Sequence, residues 1–80
     1  MDRNEIEAVV RAVLAAVFKR QFETVVDVTR QNTLGWDSLK HIEIMFALED
    51  ALGVEFSEEE LSQLDSVEKI IAAAEAKHEA

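Results

Sequence analysis

"LGWDSLKHIEIMFALEDALG", Leu34 to Gly53, decides how this chain is read. Asp37 stands where a helix N-cap is favoured, and Gly53 is a good C-terminal stop. The residues between them set out a helix beginning near Ser38. At about 100° per residue, His41, Ile44, Met45, Leu48 and Leu52 fall in one sector. Leu39, Ile42 and Phe46 fall in another, beside the line running down from Ser38. Lys40, Glu43, Ala47 and Asp50 form the remaining face. One packing contact needs an apolar arc of only about 100°. This helix therefore has two neighbouring helices, or one neighbour and a ligand or partner docking near Ile42 and Phe46.

Upstream, Ile6, Val9, Val10, Val13, Leu14, Val17 and Phe18 mark one face of an amphipathic helix over roughly residues 4–20. Asp2 with Glu5, or Asn4 with Glu7, caps its start. Lys19 and Arg20 suit the negative end of its dipole. Periodicity then fails from Gln21 to Trp36. That stretch reads as a long loop, anchored by Phe22, Val25, Val26, Val28 and Leu34. Loops of about 15 residues are unusual in a compact domain and usually have a purpose.

Downstream, Ser57 and Glu60 form a capping box, and Phe56 and Leu61 occupy the positions of a hydrophobic staple. They predict a short helix over residues 58–63. Asp65 and Glu68 repeat the box and start a fourth helix, with Val67, Ile70, Ile71 and Ala74 facing inward. The expected fold is all-α: one small four-helix bundle over residues 1–80, with a long loop between helices one and two and a short third helix.

Composition agrees. Hydrophobic residues make up 49% and charged residues 31%, a globular balance rather than a disordered one. A chain of 80 residues has a thin core, burying only about 60% of its unfolded surface. Without Cys there is no disulfide and no thiolate metal site. The start "MDRNEIEAVV" lacks the pattern of a secretory signal, and no stretch approaches the roughly 18 apolar residues of a membrane span. These features read as a cytoplasmic protein. The net charge of −9 repels phosphate backbones, so nucleic acid is not the expected partner. It either steers the chain towards basic protein patches or serves solubility alone.

Ser38 has two readings on chemistry alone. It belongs to a capped helix start, or it is an attachment point. The first turn presents free N–H groups and the positive end of the dipole, where a phosphate on Ser38 is favoured. Lys40 and His41 add positive charge within the same turn.

The stretch "LGWDSL" at Leu34–Leu39, followed by "IEIMFALEDALGVEF" at Ile42–Phe56, resembles an acyl carrier protein. Helix one, the long loop, the Ser helix, the "SEEEL" box and the "LDSVEKII" helix match that family in order and length. The resemblance implies that Ser38, between Asp37 and Leu39, carries a 4'-phosphopantetheine arm taken from coenzyme A through a phosphodiester. It implies a carrier, not an enzyme, holding acyl intermediates as thioesters for fatty-acid, lipid or polyketide enzymes. A phosphopantetheinyl transferase and acyl-transfer and chain-building enzymes with basic patches are the implied partners, and the carrier is a monomer. Acidic residues on helices two and three would meet them: Glu43, Glu49, Asp50, Glu55, Glu58, Glu59 and Glu60, with Ile42 and Met45 adding apolar contact at the rim. An acyl chain folded between the helices would meet Val28, Leu39, Ile42, Phe46, Leu61, Leu64 and Ile70, for each of which ordinary core packing is the alternative.

Two positions depart from the family pattern. Lys40, followed by His41, stands two after the serine, where acidic or polar residues are usual, and Trp36 stands where small or aliphatic residues are usual. Trp36 stacks over the loop or shields the phosphate region. Both suggest partners unlike those of a general fatty-acid carrier. The rival readings are a peptidyl or aminoacyl carrier and an unmodified acidic adaptor. A hydrolase using Asp37, Ser38 and His41 lacks the G-x-S-x-G elbow. A calcium loop from Asp27 has Asn32 and Ser38 at the positions needing Gly and Glu. With no Cys and only His41 and His78, zinc is not expected.

Overall fold

The computed structural model describes residues 2–79, which form four helices: α1 (Arg3–Phe18), α2 (Ser38–Leu52), α3 (Glu58–Gln63) and α4 (Val67–Glu79). Each start is capped as its local sequence allows. Asp2 accepts from the Glu5 N–H, Asp37 from the Lys40 N–H, and Ser57 and Glu60 close a full capping box. The start of α4 differs from the expected Asp65 box. Ser66 Oγ accepts the Lys69 N–H at 3.3 Å, while Asp65 pairs with the Lys69 ammonium at 3.0 Å. A shorter side chain one residue nearer the helix takes the cap and leaves the carboxylate for the cation.

The first helix also ends earlier than its apolar pattern predicts. Lys19 turns into the left-handed region (φ 57°), and its N–H and that of Arg20 both return to Ala15 O. Both cations therefore lie just past the helix. Gly53 ends α2 at φ 68°, a conformation with no steric cost for glycine, and its N–H bonds Glu49 O at 2.9 Å.

Helix α1 packs against both α2 and α4. Ile6, Val10 and Leu14 meet Ile44, Met45, Leu48 and Leu52 of α2 and Val67, Ile70, Ile71 and Ala74 of α4 in one buried cluster. The loop before α2 is folded onto this bundle. The Val67 N–H donates to Val28 O at 3.0 Å and the Arg30 N–H to Asp65 O at 2.8 Å, around an isolated antiparallel bridge between Thr29 and Ser66. Phe22 and Val25 are buried anchors and Val28 is half-buried. Val26 and Leu34, expected as anchors, are exposed, Leu34 almost completely. The backbone bonds to α4 fix the loop's path, so those two side chains are not needed inside.

The two apolar sectors of α2 separate cleanly. His41, Ile44, Met45, Leu48 and Leu52 are buried. Leu39, Ile42 and Phe46 are 71%, 51% and 58% exposed. Of the two arrangements the sequence allows, the structure has packing on one side and an open apolar strip on the other. No helix among the described residues is long and apolar enough to cross a membrane.

Candidate functional site

Ser38 is the first residue of α2, and its side chain is exposed. Asp37 is engaged as the cap: Oδ1 accepts the Lys40 N–H and its carbonyl accepts the His41 N–H, both at 2.9 Å. Among the described residues, one side chain hydrogen-bonds the Ser38 hydroxyl, and sequence reasoning missed it. Arg30 Nη2 donates to Ser38 Oγ at 3.1 Å across eight residues of chain. Lys40 points instead to Glu43, 3.6 Å away.

Arg30 stands on a built turn. The Thr29 N–H donates to Asn32 Oδ1 at 2.9 Å, the Asn32 N–H to Thr29 Oγ1 at 3.1 Å, and Asn32 Nδ2 to Asp27 O at 2.9 Å. Thr and Asn three apart are local turn formers, so "TRQN" signals a turn. Nothing in those four residues signals that the turn aims Arg30 at Ser38; that depends on the loop's bonds to α4.

Beneath the serine lies a buried polar chain. Trp36 Nε1–H donates to His41 Nδ1 at 3.0 Å, and His41 Nε2 lies 2.6 Å from Leu61 O. A carbonyl only accepts, so Nε2 bears the hydrogen, and Nδ1 is the acceptor for the indole. His41 is thereby a neutral ring serving three elements: the loop, α2 and α3. The rings of Trp36 and His41 stack with centroids 6.0 Å apart, and Phe18 meets Trp36 at 6.2 Å. This revises two expectations. His41 is buried and adds no positive charge beside Ser38. Trp36 is buried too, stacked on His41 rather than laid over the serine.

The expected partner residues divide. Glu43, Asp50, Glu58 and Glu59 are exposed. Glu49 is half-buried and accepts the Phe56 N–H at 2.8 Å, so it also ties α2 to the turn after it. Glu60 pairs with Lys77 at 2.8 Å, and that pairing, with the Ser57 N–H, holds its carboxyl below the usual carboxylate range. Met45 is fully buried facing α1 and α4, so it belongs to the core and not to a rim. The expected groove is likewise not one surface. Leu39, Ile42 and Phe46 form the open strip, Val28 and Leu61 are half-buried, and Leu64 and Ile70 are core. Ile70 is fully buried and lies on no part of the open strip.

An exposed primary hydroxyl with a guanidinium at hydrogen-bond distance fits a phosphodiester-linked group, and no carboxylate among the described residues bonds that hydroxyl. Residues 8–74 match the family model described as "Phosphopantetheine attachment site". The chain is also similar to "Acyl carrier protein 3" of Ralstonia nicotianae (strain ATCC BAA-1114 / GMI1000). The two are 32% identical over 68 residues, which cover 84% of this chain and 78% of that protein. With its four helices, short third helix and long first loop, this chain belongs to the phosphopantetheine-attachment carrier family, which is non-catalytic and holds its cofactor covalently.

Proposed function

We propose that Ser38 is the attachment residue and that the chain carries acyl intermediates. The observation that carries this is the exposed Ser38 hydroxyl, first residue of a helix capped by Asp37. In the loading step Ser38 Oγ attacks the phosphorus of coenzyme A that bears the pantetheine. The Oγ–P bond forms, the bond to the adenosine bisphosphate leaving group breaks, and the serine proton passes to the transferase. Once attached, the arm supplies a thiol that holds its cargo as a thioester. The polypeptide needs no nucleophile beyond that serine, which agrees with a family of carriers.

Acyl cargo is favoured over aminoacyl or peptidyl cargo by the name of the Ralstonia relative and by the apolar strip beside Ser38. An exposed acyl chain costs about 0.8 kcal/mol per CH₂ in water. Leu39, Ile42 and Phe46 offer apolar surface to that chain or to the enzyme receiving it. Exposed Glu43, Asp50, Glu58 and Glu59 orient partners bearing basic patches, more through encounter rate than affinity. Fatty-acid, lipid and polyketide enzymes are the partner class this reading names, and residues 1–80 act as one carrier domain.

The test is intact mass after incubation with coenzyme A and a broad-specificity phosphopantetheinyl transferase. The wild-type chain gains one phosphopantetheine, and Ser38→Ala gains none. No gain in either form marks an unmodified adaptor and overturns the reading. Loading the arm with fatty-acyl against aminoacyl groups then separates the two carrier classes.

A further inference from the structure

We propose that Arg30 is a phosphodiester clamp: its guanidinium, already bonded to Ser38 Oγ, binds the phosphate of the attached arm and sets the direction in which the arm leaves the protein. The proposal rests on Ser38 being the attachment residue.

The contact between Arg30 and Ser38 carries the argument. This chain has 8 basic and 17 acidic side chains, and four of the cations are held in ion pairs. Arg3 is held by Glu68 and Glu75, Lys40 by Glu43, Lys69 by Asp65, and Lys77 by Glu60. Arg30, like Arg11, Lys19 and Arg20, makes no such ion pair among the described residues, and of these four it is the one that hydrogen-bonds Ser38. Its donor is spent on a neutral hydroxyl, a weak acceptor for a full positive charge. Phosphopantetheine transfer to that same oxygen replaces the hydroxyl hydrogen with phosphorus and brings two non-bridging oxygens, sharing one negative charge, to the guanidinium. A neutral-acceptor bond becomes a charge-assisted one, roughly twice as strong, and the planar fork can engage both oxygens.

The base of the clamp is rigid enough to aim it. The Arg30 N–H is tied to Asp65 O, and the flanking Thr29 and Asn32 exchange side-chain–backbone bonds. A lysine reaching from the helix itself would not do the same, because Lys40 leans down α2 towards Glu43. Arg30 therefore acts as a positioning residue, and the long loop has a purpose beyond connection: it carries a cation from between α1 and α2 to the start of α2.

The experiment compares ¹⁵N-labelled protein before and after loading, for wild type, Arg30→Gln and Arg30→Lys, with circular dichroism to verify the fold. Loading is expected to shift the Arg30 Nε–Hε signal while those of Arg3, Arg11 and Arg20 stay in place. The ³¹P transverse relaxation rate of the loaded protein is expected to fall roughly twofold in Arg30→Gln, as the phosphate gains fast local motion, and to recover in part in Arg30→Lys. An unmoved Arg30 signal, or equal ³¹P relaxation in loaded wild type and Arg30→Gln, overturns the clamp and leaves Ser38 as attachment residue intact. If the wild-type chain acquires no arm, the functional reading fails and takes the clamp with it.

Discussion

Replacing His41 with Phe tests the buried polar chain under Ser38. The substitution keeps an aromatic ring in the stack with Trp36 and removes both ring nitrogens. Trp36 Nε1–H then loses its acceptor in a site where Trp36 is only 4% exposed, and Leu61 O loses its donor. An unsatisfied buried polar group costs about 1–3 kcal/mol, and Leu61, being half-buried, falls at the low end because water can reach it. The apolar gain of Phe over imidazole returns about 1 kcal/mol. The net loss is about 2 kcal/mol, against a total stability on the order of 4–12 kcal/mol for a chain of this length. Urea unfolding followed by far-UV circular dichroism measures it directly, and the melting temperature should fall by roughly 8–16 °C. The double variant Trp36→Phe/His41→Phe should lose less than the two single losses summed, with a coupling of about 1 kcal/mol, because no orphaned donor then remains. A loss below about 0.5 kcal/mol in His41→Phe, or strict additivity in the double variant, refutes the argument that these bonds hold the loop, α2 and α3 together.

Other residues make sharper contrasts. Met45→Ala should cost about 2–5 kcal/mol in the same unfolding assay, since Met45 is fully buried, with acyl transfer per folded molecule unchanged. Phe46→Ala should cost at most about 1 kcal/mol, yet slow transfer to partner enzymes, because its ring lies on the open strip. Glu60 has its carboxyl lowered by the Lys77 pair first and the Ser57 N–H second. Its stabilisation is therefore present above the ordinary carboxylate pKa and lost as pH falls through the lowered one. Titrating stability of wild type and Lys77→Met should show the two curves converging through that acid range; parallel curves would contradict the pairing. Lys40→Asp should change transfer rates with the chain's own partner enzymes, and equal rates would remove Lys40 as a specificity feature.

Much of the fold was legible along the chain because its signals are local. Caps at Asp2, Asp37 and Ser57, the stop at Gly53 and the inward set Val67, Ile70, Ile71 and Ala74 each depend on neighbours within a turn or two. The misplacements occurred where two local choices compete. Asp65 and Ser66 both offer a cap, and the apolar run of α1 continues to a lysine whose left-handed turn no spacing rule announces.

The candidate site divides along the same line. Helical periodicity alone separated Leu39, Ile42 and Phe46 from His41, Ile44 and Met45, and local capping chemistry put Ser38 at a helix start. Which sector of α2 lies against α1, and which stays open, was decided only by how the helices pack. So were the neutrality of His41, imposed by an indole from the loop and a carbonyl from α3, and the approach of Arg30 to Ser38, imposed by loop bonds to Asp65 and Val67. Dihedral preferences and side-chain spacing act over a few residues, whereas these three outcomes require groups far apart in the chain to share one small volume.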